Sequence, residues 1–162
     1  MLVSMPIQVI HADPQGVDAM GLLRQAAIEA RQLYPELHGP HDSWPVNRPT
    51  PPRGAYLVAY LDGVAVAMGA HRPLDSTSSE VRRMYTCASA RRLGAGRAVL
   101  IAVEQHARQQ GFQELKLETG FRQAPAMALY ESMGYRRIEA FGEYRQDPTS
   151  VCYAKQLAAS GT

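Results

Sequence analysis

The sequence lacks the features that mark several classes of protein. Its only cysteines, Cys87 and Cys152, are too few for a disulfide framework and are not spaced as metal ligands. The first residues, MLVSMPIQVIHAD, have neither the basic region nor the long apolar run of a signal peptide. No apolar run elsewhere is long enough to span a bilayer. We therefore expect a soluble, cytoplasmic protein with reduced thiols and no membrane partner.

An excess of charge is also missing. The chain has 17 Lys and Arg residues against 15 Asp and Glu, and this net charge of +2 is too small to indicate a nucleic-acid-binding surface. Hydrophobic residues make up 46% and charged residues 20%, which is typical of globular proteins and excludes general disorder. Because 162 residues without a repeat or linker can build one substantial core, a single domain over residues 1–162 is predicted.

The hydrophobic periodicity of the first half predicts a strand, a helix and a hairpin. Residues 7–11 alternate as in a strand, and residues 17–34 have apolar side chains at helical spacing. The proline-rich residues 38–54 have no period and predict an irregular surface loop. The pair Asp62-Gly63 lies between two apolar runs, which predicts a β-hairpin.

The second half continues the alternation of strands and helices. The pattern predicts a strand at residues 80–87, a helix at 93–111 and a strand at 112–119. It then predicts a helix at residues 124–134 and two closing strands at 135–144 and 150–157. The whole order is β-α-loop-β-β-β-α-β-α-β-β. This order predicts an α/β fold with one mixed sheet.

A turn with two glycines and three arginines precedes the second predicted helix. Helix N-termini present unpaired backbone N–H groups, and Gly94 and Gly96 would let the backbone wrap around an anion. Positive charge is added by Arg91, Arg92 and Arg97, so a pyrophosphate group is the predicted ligand. The turn is neither a Walker A motif nor a dinucleotide fingerprint. Taken alone, the segment more often indicates an ordinary turn before a core helix, because short turns with glycine are common there.

Several motifs together resemble those of the GCN5-related N-acetyltransferases (GNAT). The segment RRLGAG at residues 91–96 resembles the family signature Arg/Gln-x-x-Gly-x-Gly/Ala. EVRRMYT before it resembles the family's fourth strand, and LKLET after it resembles the fifth. AMALYESMGY at residues 126–135 resembles the helix segment that follows. The resemblance implies a mostly antiparallel sheet flanked by helices, with two central strands that splay apart.

The resemblance implies acetyl-CoA as co-substrate and a primary amine, here a small molecule, as acceptor. The backbone amides of residues 93–97 would hold the pyrophosphate, and the fourth strand would pair with the pantetheine arm. A backbone N–H near Met84 or Tyr85 would polarise the thioester carbonyl. The implied CoA-binding residues are Met84, Tyr85, Thr86, Arg91, Arg92, Leu93, Gly94, Ala95, Gly96 and Arg97. Many relatives carry an asparagine after the fifth strand; here Thr119 or Gln123 would replace it.

Two side chains are the predicted acid and base. An alkyl ammonium has a pKa near ~10, so a base must take its proton at neutral pH. Glu80 is the predicted base, acting through water, and the alternative is a solvated carboxylate at a strand end. Tyr130 lies where the family places a tyrosine against the CoA sulfur, and the alternative is a core tyrosine. Glu118 either approaches the acceptor amine or is a surface carboxylate.

The loop after the first helix shapes the acceptor pocket in this family. Trp44 in that loop either contacts the substrate or packs the loop onto the domain. His38 and His41 have no third ligand at useful spacing, so no metal site is predicted. His106 is predicted to be exposed, and either Arg82 or Arg83 should face solvent because neighbours on a strand alternate.

The predicted activity is direct acetyl transfer within a ternary complex, without an acyl-enzyme. Cys87 is the only thiol near enough to suggest a covalent route. The alternative function is a non-catalytic acyl-CoA-binding regulatory module on the same fold, which would need neither Glu80 nor Tyr130. No nucleic-acid partner is expected, and the closing strands are a plausible homodimer interface.

Overall fold

The computed structural model describes residues 6–158, in which strands and helices alternate as predicted. The strands are β1 (Ile7–His11), β2 (Ala55–Leu61), β3 (Val64–Pro73), β4 (Ser78–Thr86), β5 (Glu114–Gly120), β6 (Arg136–Ile138) and β7 (Ser150–Gln156). The helices are α1 (Val17–Leu33), α2 (Ala95–Gln109) and α3 (Ala124–Ser132). Within residues 6–158, no helix has the length and apolar character needed to cross a membrane.

The seven strands of the described part of the chain belong to one open sheet in the order β1-β2-β3-β4-β5-β7-β6. Every neighbouring pair is antiparallel except β4 and β5, which run parallel and are connected through α2. A parallel pair needs such a crossover, whereas the antiparallel β2 and β3 are joined by the predicted Asp62-Gly63 turn. The predicted mixed, mostly antiparallel sheet is confirmed.

Helices cover both faces of the sheet because β2 and β3 are apolar on both faces. On one face, α2 buries Val99, Leu100 and Val103 in a cluster with Leu57 and Leu117. On the opposite face, α1 packs against β2 and β3 through a second cluster of Ala19, Leu22, Leu23, Tyr56, Val58, Met68 and Ala70. Side chains that alternate along β2 and β3 therefore pack into two separate hydrophobic cores, one on each face of the sheet.

The parallel strands β4 and β5 pair only at their beginning. The paired residues run from Ser78 with Glu114 to Val81 with Leu117, although β4 continues to Thr86 and β5 to Gly120. On the edge that pairs with β3, β4 has a bulge near the same position. There Arg83 and Met84 lie opposite a single residue of β3. The predicted splay of the central strands is confirmed.

The predicted strand over residues 135–144 is wrong beyond Ile138. β6 contains three residues, and a short 3-10 helix at Gly142–Gln146 follows. Gly142 has a φ of +54°, a left-handed conformation that interrupts a strand. The rings of Phe141 and Tyr144 then pack edge to face at 5.3 Å. The turn carries Tyr144 back over the sheet, where its hydroxyl contacts Glu80.

His106 is half-buried, so its predicted exposure is wrong. Its Nδ1 lies 2.8 Å from Nε2 of His71, and its ring packs 5.4 Å from that of His11. His71 is 1% exposed, and its Nδ1 lies 2.7 Å from the Ser79 hydroxyl. The polar neighbours of His106 in the sequence did not reveal this contact, because His71 comes from a distant strand.

Burial of His71 should make the protein sensitive to acid. Burial, with the nearby His106 and His11, lowers the pKa of His71 from 6.5 to about 4. Between these values the unfolded chain binds a proton that the folded chain excludes, so stability falls as pH falls from about 6.5 to 4. His71→Gln should flatten the dependence of Tm on pH in this window, whereas the same change at the exposed His41 should leave it intact.

Candidate active site

The start of α2 forms a cradle of backbone N–H groups beside the end of β4. Gly94 caps the helix with a φ of +87°, and its carbonyl accepts the first helical hydrogen bond from Ala98 at 3.0 Å. The N–H groups between them have no carbonyl partner within the helix and point out of its N-terminus. The left-handed conformation at Gly94 explains why glycine stands at this position.

Gly96 allows close contact between α2, β4 and α3. A Cβ atom at this position would lie 3.1 Å from the Thr86 hydroxyl oxygen and 3.6 Å from a methyl carbon of Leu129. The absence of a side chain therefore keeps the helix N-terminus directly against the end of β4. A Cβ at Gly94 would meet no atom of the described chain within 4 Å, so the reason for glycine there is its backbone conformation.

The predicted arginines surround this cradle in different ways. Arg91 pairs with the carboxylate of Glu29 on α1 and donates a hydrogen bond to the Thr86 carbonyl at 3.1 Å. Arg97 donates to the hydroxyl of Ser132 on α3 at 2.8 Å. Arg92 is exposed and has a φ of +67°. The structure thus places the residues of the predicted CoA-binding loop together at the open end of β4.

Residues 84–86, at the end of β4, have one paired edge and one unpaired edge. On the β3 side, Tyr85 lies opposite Met68 and Thr86 opposite Ala67. On the β5 side, no strand within residues 6–158 pairs with it, because the β4–β5 ladder ends at Val81. An extended chain of another molecule can add to such an edge through backbone hydrogen bonds.

Glu80 is a buried carboxylate with several partners, so the alternative of a solvated strand-end residue is wrong. Its side chain accepts a hydrogen bond from the Tyr144 hydroxyl at 2.6 Å and lies 3.4 Å from the guanidinium groups of both Arg72 and Arg82. Glu80 itself is 2% exposed. Burial and the neighbouring Glu80 raise the pKa of Tyr144, so its hydroxyl stays a donor at neutral pH.

Tyr144 was not among the residues predicted from the sequence. The sequence predicts position 144 at the end of a closing strand, which gives no reason to place it beside Glu80. The glycine at position 142 is the only local sign of the turn that brings it there. The contact joins residues 64 positions apart, so only the folded chain reveals it.

Glu118 lies on β5, across the gap where β4 and β5 separate, and Tyr130 lies on α3. Glu118 is the first β5 residue beyond the paired segment, and it accepts a hydrogen bond from Ser150 at 2.6 Å. Burial raises the pKa of Glu118. Tyr130 is 4% exposed, and burial together with the charge of Glu118 raises its pKa. Within residues 6–158 no group forms a hydrogen bond with the Tyr130 hydroxyl, although its ring packs against two other tyrosines.

A cavity of about 390 Å³ opens between α1, the proline-rich loop and the bulge of β4. Its wall contains Leu23, Ala26, Ala27, Ala30, Arg31, His38, Ser43, Pro45, Met68, Arg83, Met84 and Tyr85. Trp44 packs the loop onto α1, because its ring lies between the guanidinium groups of Arg24 and Arg31, at 3.5 Å and 3.6 Å. The cavity thus meets β4 at the residues predicted to contact the pantetheine arm.

The structure also tests the predictions about the arginine pair on β4 and about the residues after β5. Arg82 and Arg83 are both half-buried, so neither faces solvent as alternation predicts, because the bulge interrupts the alternation between them. Thr119, one proposed replacement for the missing asparagine, is buried on the core face of β5. Gln123, the other one, precedes α3 and donates its backbone N–H to the Gly120 carbonyl at 2.9 Å.

Comparison with known proteins gives consistent matches. Residues 23–135 match the profile of the acetyltransferase (GNAT) family. An uncharacterised N-acetyltransferase of Bacillus subtilis is 40% identical over 91 residues, which are 55% of this chain and 60% of that protein. An IAA acetyltransferase of Azospirillum brasilense is 38% identical over 103 residues, or 63% of this chain and 67% of that protein.

Solved structures share the fold over nearly the whole chain. A Klebsiella pneumoniae protein assigned as an acyl-CoA N-acyltransferase superposes with a TM-score of 0.77 at 30% identity, covering 94% of this chain and 98% of that one. A GNAT family acetyltransferase of Elizabethkingia anophelis, with acetyl-CoA bound, gives a TM-score of 0.66 at 14% identity, covering 93% and 98%. The second match is too distant in sequence to compare more than the fold.

Proposed function

Because the chain belongs to the GNAT family of acetyltransferases, we propose that it transfers an acetyl group from acetyl-CoA to the primary amine of a small molecule. The observation that supports this most is the separation of β4 from β5 directly before the N-terminus of α2. It leaves a slot for the pantetheine arm next to a cradle for the pyrophosphate. An ordinary strand–turn–helix connection does not require the hydrogen bonding between the two central strands to end early.

The residues around the slot fit CoA. The unpaired edge of residues 84–86 matches the amide groups of a pantetheine arm, and the N–H groups at the start of α2 match a pyrophosphate. The arginines at positions 91, 92 and 97 add positive charge beside it. A donor N–H at Met84 or Tyr85 stabilises negative charge on the thioester oxygen. Bound there, acetyl-CoA supplies the activated acyl group.

Glu80 is the proposed general base. The guanidinium groups of Arg72 and Arg82 lie 3.4 Å from its carboxylate, and the hydrogen bond from Tyr144 fixes the orientation of that carboxylate. A water molecule carries the amine proton to the carboxylate, because Glu80 itself is nearly inaccessible. Glu118 is the competing candidate, since burial raises its pKa towards the range that suits a general base.

Tyr130 is the proposed general acid. Its raised pKa keeps the phenol protonated at neutral pH, and its hydroxyl has no internal acceptor within residues 6–158. Glu80 accepts the amine proton while the C–N bond forms, and Tyr130 donates a proton to the sulfur while the C–S bond breaks. The acetyl group passes directly to the amine, so the buried Cys87 carries no acyl group in this route.

Tyr130→Phe should lower kcat by about 10²-fold or more because the leaving thiolate loses its proton donor. The ring packing against Tyr135 and Tyr153 remains in the variant, so the fold should be retained. The KM for acetyl-CoA should change little, since the hydroxyl acts only during bond cleavage. A rise in KM with an unchanged kcat would instead assign Tyr130 to CoA binding.

The direct test of the activity is a panel of amines incubated with acetyl-CoA, read by the release of free CoA thiol. Release that depends on both the amine and the protein supports the proposal. Binding of acetyl-CoA without transfer to any amine in a broad panel would favour the regulatory acyl-CoA-binding module instead. No binding of acetyl-CoA at all would contradict both functions.

A further inference from the structure

The cavity beside the β4 bulge has an unusual balance of charge for an amine-binding site. Its wall includes two arginines and a histidine, and none of the described residues that line it is acidic. A site that received a simple alkyl ammonium would be expected to offer a carboxylate for the positive charge. Much of the remaining wall is apolar, formed by Leu23, Ala26, Ala27, Ala30 and Met68. The lining therefore matches a ligand with an anionic group and an apolar body.

Arg83 is the strongest sign of an anionic ligand. Several other arginines have a carboxylate partner, among them Arg72, Arg82, Arg91 and Arg122. No carboxylate within residues 6–158 lies at ion-pairing distance from Arg83, whose hydrogen bonds go to the Asn47 side chain at 2.9 Å and the Val46 carbonyl at 3.4 Å. Burial and the neighbouring charge of Arg82 lower the pKa of Arg83. A half-buried guanidinium without a counter-charge is costly unless a ligand supplies one.

The surroundings hold Arg83 in place before any ligand binds. Asn47, which accepts its hydrogen bond, is 6% exposed and donates to the Pro14 carbonyl at 2.7 Å and to the Tyr56 hydroxyl at 3.1 Å. The backbone of Arg83 has a φ of +62°, a conformation that non-glycine residues rarely adopt. A rigid guanidinium loses little entropy when it binds a carboxylate through two parallel hydrogen bonds.

The other charged groups of the wall do not neutralise this site. Arg31 donates to the carbonyl groups of Asp42 and Ser43, at 3.1 Å and 3.2 Å, and its guanidinium stacks on Trp44. His38 lies 3.7 Å from the carboxylate of Asp42, so any charge on His38 already has a partner. Arg31 and Arg83 therefore keep their positive charge available on a largely apolar wall.

We propose that the acceptor is an amino acid with an apolar side chain, whose carboxylate pairs with Arg83. Its side chain would lie against the apolar face of α1, and its amine would face the thioester site at Met84 and Tyr85. The volume of about 390 Å³ lies at the low end of the ~300–1000 Å³ typical of small-molecule sites, which suits such a substrate. This proposal rests on the proposed acetyl transfer and specifies its substrate class.

The first test compares acids with their neutral amides in the wild-type protein. Leucine, methionine and phenylalanine should be acetylated with kcat/KM about 10–100-fold higher than leucinamide, methioninamide and phenylalaninamide, since each amide keeps the side chain and lacks the negative charge that Arg83 would bind. Equal use of acids and amides would overturn the proposal while leaving the acetyltransferase function intact. No variant is needed for this comparison, so it does not depend on the folding of a mutant.

The second test measures the same ratio of kcat/KM, for amino acids against their amides, in variants of Arg83. In Arg83→Gln the ratio of acid to amide kcat/KM should fall towards one, and Arg83→Lys should restore part of it. Arg24→Gln is the matched control, because Arg24 stacks on Trp44 but is exposed and is not part of the cavity wall in the described chain. Its acid-to-amide ratio should equal that of the wild type. An unchanged ratio in a folded Arg83→Gln protein would overturn the proposal.

A binding measurement separates failure of this inference from failure of the proposed function. If no amine is acetylated although CoA binds, calorimetry with leucine and the CoA-saturated protein still tests the cavity. Binding of leucine that is lost in Arg83→Gln and retained in Arg24→Gln would support an amino-acid site without catalysis. No binding of leucine by the wild type, or equal binding by both variants, would overturn it.

Discussion

Glu80→Gln should lower kcat by about 10²–10⁴-fold, the usual contribution of a general base. Glutamine has nearly the same shape and can still accept a hydrogen bond from Tyr144, so the site should keep its geometry. It cannot take a proton from the amine at neutral pH. The KM for acetyl-CoA should change little, because Glu80 lies in the paired part of β4, before the unpaired segment proposed to bind pantetheine. Steady-state release of CoA thiol measures both constants.

The pH dependence and a control make the role of Glu80 specific. The variant should recover activity as pH rises towards the pKa of the amine near ~10, because more of the amine is then already neutral. Glu114→Gln removes the same charge at the closed end of the β4–β5 ladder and should leave kcat near the wild-type value. A larger loss in Glu118→Gln than in Glu80→Gln would transfer the role of base to Glu118.

Local signals made most of the fold predictable from the sequence. The alternation of FQELKLET, the helical spacing after Gly96 and the Asp62-Gly63 turn each act over a few residues. The structure contains each of the three elements, and the strand begins at Glu114. The failure over residues 135–144 has a physical cause, since Gly142 adopts a left-handed conformation that a strand does not accommodate. The splay of β4 from β5 followed from the family resemblance, since periodicity carries no information about which strands stay paired.

The candidate site was predictable only where one short segment builds it. The cradle at residues 93–97 comes from a continuous stretch, so its glycines and arginines could be recognised directly. The partners of Glu80 and Arg83 could not, because Tyr144 lies 64 residues from Glu80 and Asn47 lies 36 residues from Arg83. The proline-rich loop supplies Asn47, and the 3-10 helix after β6 supplies Tyr144. Their positions depend on packing rather than on local preference.

Gly96→Val should raise the KM for acetyl-CoA by about 10–100-fold, which corresponds to losing one charge-assisted hydrogen bond or more. Even a Cβ atom would lie 3.1 Å from the Thr86 hydroxyl oxygen, and the branched valine must push α2 away from β4 or project into the cradle. Either movement misplaces the N–H groups that would face the pyrophosphate. kcat at saturating acetyl-CoA should fall much less, because the acid and the base lie elsewhere.

The matched control for Gly96→Val is Gly21→Val in the exposed surface of α1. A Cβ at Gly21 would meet no atom of residues 6–158 within 4 Å, so this variant introduces the same side chain into a helix without the steric effect. Circular dichroism should show that both variants are folded. Gly94→Val tests the cradle independently, because its space is open but its φ of +87° disfavours any side chain. If acetyl-CoA affinity survives both Gly94→Val and Gly96→Val, the pyrophosphate binds elsewhere, since no rearranged cradle could tolerate two such different perturbations.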